Sequence, residues 1–484
     1  MLRSGLLVLA VLLPLTLGQL AGTNQAENHP ALTWQKCTGT GGTSCTTQSA
    51  SIVLDSNWRW LHQGASGSTN CYTGNTWDTS ICPDGKTCAA NCALDGANYA
   101  GTYGISTSGN ALTLKFVTVS QQPNIGSRVY LMAPGSTTTY QTFNFNNQEF
   151  VSLCNSTLMY PSCPVVSMAL STFHKWTPTV VLPNPPELTR PEPSTERVTA
   201  TLNAPEISSS LTASQTAQDG SRVQMTVRHH SYPVLESDLT NMNSAANAGT
   251  GTMGTCCPEM DVWEANKISS AYTPHPCTTL GQSTCTGTTC SAPNSTQGTC
   301  DQAGCDFNSY RMGNTSFYGP GLIVDTNQKF TVVTQFVGSP ITSIKRFYVQ
   351  NGKVIPNSQS TISGVTGNSI SDSFCAAQKT AFGDTNTFAS KGGMATMSKA
   401  ASAGMVLVMS IWDDHAADML WLDAPYPPTK SPSSPGVTRG TCAANSGSPP
   451  HRGIAEPQCP GRLLEHTVWT SWFNFCRSGV VLRC

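Results

Sequence analysis

Four runs in this 484-residue chain are rich in β-branched and aromatic residues that alternate with small or polar ones. They read SIVLD (51–55), ALTLKFVTV (111–119), KFTVVTQFV (329–337) and GMVLVMSIW (404–412). Such a period of two suits strands with one face buried. Turn residues (Gly, Asn, Ser, Thr) fill the intervals, and nothing long carries helical periodicity; short helical turns are expected around 371–381 and 392–403. The pattern implies an all-β fold, an antiparallel β-sandwich with long loops, where binding surfaces are built.

The amino terminus reads MLRSGLLVLAVLLPLTLGQLAGT. One Arg precedes an apolar run from about Leu6 to Leu17, followed by small residues. This is the pattern of a secretory signal peptide, 1–18, too short to span a membrane as a mature helix. The mature chain is expected to start at Gln19 and to be soluble and extracellular. In that compartment 20 cysteines imply a disulfide framework. No C-x2-C with H-x3-5-H spacing appears, so no zinc or other metal is expected, and no cofactor.

With 26 basic and 27 acidic residues the formal charge is −1. Nucleic acid and anionic membranes call for clustered Lys and Arg, so neither is an expected partner. A hydroxyl- and amide-rich surface suits a neutral, hydrated partner such as a carbohydrate.

Only 11% of residues are charged, yet GTCCPEMDVWEAN (254–266) places Glu259, Asp261 and Glu264 within six positions. On a strand Glu259 and Asp261 share a face. Glu264, at i+5, would face the other way unless one β-bulge between 261 and 264 restores it. A row of three carboxylates on one face fits glycoside hydrolysis with retention, which needs a nucleophile and a general acid/base about 5–5.5 Å apart. The same acids would also serve a hard cation, although such loops favour Gly and Asn over an interleaved Val-Trp. A solvated strand face carrying acids is the third reading.

EMDVWEAN followed by AYTPHPC (271–277) resembles glycoside hydrolase family 7, the fungal cellulases, and within it the cellobiohydrolases. Further matching motifs are LTWQKC (32–37), DSNWRW (55–60), KTCAANCALDGANYAGTYGIS (86–106) and NIGSRVYLM (124–132). GCDFNSYRMGNTSFYGPG (304–321), MSIWDDHAADMLWLDAPYP (409–427) and PGVTRGTC (435–442) continue the likeness. The resemblance implies a curved jelly roll with loops roofing a substrate tunnel, in one catalytic domain over 19–447, without a separate cellulose-binding module. It implies a secreted, monomeric cellulose 1,4-β-cellobiosidase that releases cellobiose from reducing chain ends, its partners being cellulose chains and cello-oligosaccharides. An endo-acting β-1,4-glucanase of the same family is the neighbouring reading; the long loops at 283–300 and 379–400 favour the tunnel.

By the same resemblance Glu259 is the nucleophile, Glu264 the acid/base, Asp261 the residue that orients Glu259, and His275 a neighbour of the +1 sugar. Trp58, Trp60, Trp412 and Trp421 match tryptophans on which glucose units stack; packing is the competing role for each. Tyr103, Arg128, Asp306, Arg311 and Arg439 match polar tunnel or product-site positions, with structural pairing as the alternative. STQGTC (295–300) lacks an Arg that cellobiohydrolases often carry there, and Ala303 stands where an acid is common. Asn294 and Asn314 lie in N-x-[ST] sequons and are candidate glycosylation sites.

The likeness stops after NQEF (147–150) and resumes at NSAANAGTGTMGTCCPEMD (243–261). Between Gly135 and Gly249 there is a single glycine, Gly220, and a Pro/Ser/Thr-rich stretch (177–220) shows neither strand nor helix period. Its composition is that of a disordered linker. The tail, 448–484, is rich in Arg, Pro and Cys and shows no alternating strand where a sandwich would want its last one. Abrupt loss and return at near-normal length point to translation out of frame, or mis-splicing, over about 151–242 and 448–484. A catalytically inactive or non-folding product is therefore the alternative to an enzyme.

Family pairing implies Cys37–Cys45, Cys71–Cys92, Cys82–Cys88, Cys277–Cys300, Cys285–Cys290 and Cys305–Cys375. Cys256, Cys257 and Cys442 would look for partners inside 151–242, and Cys154, Cys163, Cys459, Cys476 and Cys484 lie in the departing segments.

Overall fold

A computed structural model describes residues 20–38, 44–55, 58–73, 76–83, 85–119, 122–137, 139–154, 165–171, 253–281, 283–286, 289, 296–412, 417–446 and 479–483. The strands that build its main sheet begin with β1 (Ala31–Thr38), β2 (Ser44–Leu54), β3 (Ser127–Met132) and β4 (Glu149–Cys154). They continue with β5 (Val165–Ser171), β6 (Glu259–Ala265), β7 (Ser270–His275) and β8 (Phe307–Asn308). The last are β9 (Phe330–Gly338), β10 (Ile341–Gln350), β11 (Met405–Trp412) and β12 (Gly479–Arg483).

One layer runs β2–β3–β11–β5–β6–β7–β8, antiparallel throughout. The other runs β12–β4–β9–β10, antiparallel except for the parallel β4–β12 pair. β1 pairs with both β2 and β12 and so joins the layers at one edge. The result is a curved antiparallel β-sandwich of jelly-roll type. Inward residues of both layers, among them Leu32, Ile52, Val129, Phe330, Phe336 and Leu407, form one core. Burial of such side chains is the main force holding the layers face to face.

Two helices, α1 (Asp372–Phe382) and α2 (Gly393–Ala403), lie where helical turns are expected and add Phe374, Phe382, Met394 and Met397 to the core. Ser371 caps α1 by accepting from the Phe374 N–H, and Gly383 ends it in the left-handed region. Among the described residues no helix is long and apolar enough to cross a membrane.

Two expectations need correction. The run 111–119 is two strands, because Ala111–Thr113 pairs with Ser106–Ser108 while Val117–Val119 turns to pair with Gln122–Ile125. The departing segment supplies a strand ahead of the aperiodic stretch 177–220, which lies outside the described residues: VVSMALS inserts as β5 between β6 and β11. The tail also contributes one, GVVLR, which fills the gap between β1 and β4. Both runs are short, apolar and β-branched at their start, and a ladder asks mainly for backbone hydrogen bonds. The segment 1–18 read as a signal peptide, the stretch 172–252 and residues 447–478 lie outside the described residues.

Five of the six expected disulfides are present: Cys37–Cys45, Cys71–Cys92, Cys82–Cys88, Cys277–Cys300 and Cys305–Cys375. Cys290, and with it the sixth, lies outside the described residues. The amino-terminal segment is tied down differently. Glu27 accepts from both Arg59 Nη atoms, from the Tyr99 hydroxyl at 2.6 Å and from the Ala97 N–H at 3.0 Å. Burial would raise the Glu27 pKa, but His29, Arg59 and Tyr99 outweigh it and bring it to about 2.

Candidate active site

The three acids lie on β6, and the direction of its side chains can be followed residue by residue. Met260 and Val262 join the core, as do Trp263 and Ala265. Two consecutive inward residues mean that the strand changes phase once, at Val262–Trp263. Its ladders record the same event: with β7 the register slips between Asp261 and Glu264, and with β5 between Met168 and Ala169. This is the β-bulge required by the spacing, and it puts Glu264 back on the face of Glu259 and Asp261. All three carboxylates are buried, with Glu259 and Asp261 at 0% exposure and Glu264 at 3%.

β7 sets His275 opposite Glu259 and Thr273 opposite Asp261. His275 Nε2 lies 2.9 Å from Asp261 Oδ2, within ion-pair range though out of line for a hydrogen bond. Its Nδ1 is 3.1 Å from the Asp301 carbonyl. A carbonyl only accepts, so Nδ1 is the donor in that contact. Gly304 closes the pocket behind the ring, since a Cβ there would stand 2.5 Å from His275 Cε1. Its φ of +63° also suits glycine. Asp301 and Gly304 were not singled out from sequence; a backbone carbonyl leaves no sequence signal.

Glu259, Asp261 and His275 offer donor atoms within 4.8 Å of one another, so the cation reading has a donor set. The same holds for Cys71, Cys82 and Cys92, but these sulfurs are consumed by disulfides and offer no thiolate.

A second group forms a basic cluster. Arg311 pairs with Asp306, lies 3.6 Å from Asp384, donates to the Gly436 carbonyl at 2.9 Å and stacks 4.5 Å over Phe382. Gly436 has φ +74°, and a Cβ there would meet the Phe382 ring at 2.4 Å. Arg439 donates to the Trp421 carbonyl at 3.0 Å and lies over Tyr426. Burial, reinforced by Arg311, pulls its pKa down to about 9, so it stays charged at neutral pH. Burial works to raise the Asp306 pKa, but Arg311, Arg439 and Lys379 hold it below the usual carboxylate range.

The aromatic candidates separate. Trp60 is 40% exposed, its ring 4.4 Å from that of His62 and its Nε1 donating to Asn70 at 2.7 Å. Trp58 packs partly buried against the core, Tyr103 sits within it beside Tyr99 and Ile105, and Trp421 is buried with Met419 and Leu422. Burial raises the Tyr103 pKa to about 12. Trp412 ends β11 opposite Val165, its side chain outside the described residues. Arg128 is buried on β3, in register with Ser410. Asn314 is half-buried in a turn with exposed Thr315 and Ser316, while Asn294 lies outside the described residues.

A jelly roll that gathers three carboxylates on one face has the makings of a two-carboxylate glycoside hydrolase. The family model of glycosyl hydrolase family 7 matches residues 21–157 and 235–459, and the chain belongs to that family. The unmatched interior, 158–234, is narrower than the 151–242 read from sequence, and the match runs past 447 into the tail. Among solved structures, the family 7 cellobiohydrolase from Daphnia pulex is 39% identical, with TM-score 0.74, covering 89% of this chain and 94% of its own. The Melanocarpus albomyces cellobiohydrolase complexed with cellotetraose is 36% identical, with TM-score 0.70 and coverages of 89% and 94%. The Humicola insolens endocellulase EGI is similar at 28% identity, with TM-score 0.67 and coverages of 88% and 93%.

Proposed function

We propose that this chain is a secreted, retaining cellulase that releases cellobiose from cellulose chain ends. The observation that carries the reading is the β6 bulge, which collects Glu259, Asp261 and Glu264 on one face with His275 against Asp261. Glu259 attacks the anomeric carbon while Glu264 protonates the departing glycosidic oxygen, leaving a glycosyl–Glu259 ester. Glu264, now a carboxylate, takes a proton from water, which displaces Glu259 and returns both acids to their starting states. Asp261 and His275 hold Glu259 in orientation.

Trp60 offers a platform for a glucose ring, and the forked donors of Arg311 and Arg439 suit sugar hydroxyls near the leaving product. Cello-oligosaccharide as ligand is supported by the cellotetraose complex of the Melanocarpus relative. Release from chain ends is favoured over endo cleavage by the higher identity to the cellobiohydrolases, 39% and 36% against 28% for the endocellulase.

Glu264→Gln should lower kcat on phosphoric-acid-swollen cellulose by about 10²–10⁴-fold while leaving cellulose binding intact. Full activity in that variant would refute the assignment. A second reading, an inactive product of a misframed gene, is favoured by the stretch 158–234, which the family model leaves unmatched. It predicts no cellobiose from the purified, secreted chain, and sequencing of the transcript across that stretch decides whether the frame is real.

A further inference from the structure

The bulge in β6 has an unusual support. Val262 has no register partner in the ladder with β7 or in that with β5. Its carbonyl instead accepts a hydrogen bond from Arg346 Nη2. Arg346 belongs to β10 in the opposite layer, where Ile344, Arg346 and Tyr348 take the inward phase. It is 2% exposed, and among the described residues no carboxylate pairs with it. Its guanidinium lies 4.3 Å from the ring centroid of Tyr272 and 5.9 Å from that of Tyr348. Tyr272 is the β7 residue between Ala271 and Thr273, directly across from the bulge.

An arginine in an apolar core whose Nε and Nη1 lack hydrogen-bond partners among the described residues is costly to keep. Leucine or methionine would fill the volume without that cost. What the charged, planar group adds is one donor to the stranded carbonyl and one flat face against the opposing ring. One contact falls on Val262, where the phase change begins, and the other on Tyr272, the β7 residue across from it. A β6 strand without the bulge would send Glu264 into the core and an apolar residue to the acid face, because a slip of one residue exchanges faces.

We propose that Arg346 is a positioning residue for the carboxylate row, clamping the bulge from the far layer so that Glu264 stays level with Glu259. Arg346 touches no reacting atom. The proposal rests on the reading of Glu264 as acid/base, and it makes a specific demand. A loosened clamp should harm the step that needs a proton far more than substrate binding.

The test compares full-length wild type with Arg346→Met and Arg346→Lys on two aryl β-cellobiosides. In one, 2,4-dinitrophenolate departs without a proton; in the other, a poor leaving group requires one. Sodium azide serves as external nucleophile, so that release of the glycosyl enzyme does not need Glu264. Arg346→Met should lose about 100-fold in kcat on the poor leaving group and stay within about threefold on the activated substrate, with KM changed less than about threefold on both. Arg346→Lys, which keeps the charge but loses the planar fork, should fall between wild type and Arg346→Met.

Equal loss on both substrates, no loss on either, or failure to recover either variant folded would overturn the proposal, since Arg346 would then serve the fold alone. Glu264→Gln, measured alongside, should give the same leaving-group dependence. If it does and Arg346→Met does not, only the positioning role falls. If Glu264→Gln shows none, the acid/base assignment falls, and the positioning role with it.

Discussion

The strand that carries the three acids has neighbours of two kinds. On one side β7 brings Ala271, Thr273 and His275 opposite Glu264, Asp261 and Glu259. On the other, β5 brings Ser167, Ala169 and Ser171 opposite the same three acids. Both flanks follow the bulge, each with its own slip in register. Only β7 supplies a titratable partner, and only β7 comes from sequence continuous with the acid motif. The difference separates two demands on a strand. Holding a place in a sheet takes backbone hydrogen bonds and some apolar side chains, which VVSMALS provides. Contributing to chemistry takes one particular side chain at one register position, and at the register position of Asp261 the β5 sequence has alanine.

The largest expected effects set these flanks against each other. His275→Gln should cost about 100-fold in kcat, because it removes the imidazole that lies 2.9 Å from Asp261. Ala169→Ser, at the matching position on β5, should stay within about threefold, as it displaces no polar contact of Asp261. Comparable losses in steady-state assays of the two variants would erase the asymmetry.

Gly304→Ala should act on the β7 side alone. Strain at φ +63° and the clash with His275 predict a stability loss of about 1–2 kcal/mol and about tenfold in kcat. Urea melts and initial rates measure the two parts, and rescue of the rate without rescue of stability would break the link to His275.

Smaller, pH-dependent effects compare the amino-terminal anchor with the end of β6. Glu27 has its pKa lowered to about 2 from 4.5, so its contribution is present above pH 4.5 and is lost as pH falls toward 2. Asp423, which accepts from Asn266 Nδ2 at 2.6 Å, is pushed the other way by burial, to about 6 from 3.8. Its favourable contribution is present below pH 3.8 and is lost as pH rises through 6. Glu27→Gln should therefore lower Tm at pH 6 but hardly at pH 2. Asp423→Asn should raise Tm at pH 8 and leave it unchanged at pH 3.5. Calorimetry across that range checks both signs.

Much of this was legible in the chain. The alternation of 329–337 and 404–412 fell within a residue or two of β9 and β11, because a half-buried strand imposes its period on the side chains. The E-x-D-x-x-E spacing already required a bulge. The insertion of β5 and β12 was not legible, since neither run alternates and a central or gap-filling strand is specified largely by its neighbours. Tyr103 and Trp421, matched to sugar contacts, lie in buried clusters with apolar neighbours, which sequence alone did not indicate. Arg346 did leave a signal, an arginine in the inward phase of ITSIKRFYVQ between Ile344 and Tyr348. The carbonyl it serves lies 84 residues away on another strand, and no local pattern points there.

The central claim, that the bulged row of acids performs hydrolysis with retention, is tested most directly by proton NMR of the first product released from cellotetraose by the full-length chain. Retention requires the β-anomer of cellobiose to appear first and then mutarotate toward the equilibrium mixture. Initial α-anomer, or no cellobiose at all, would contradict it.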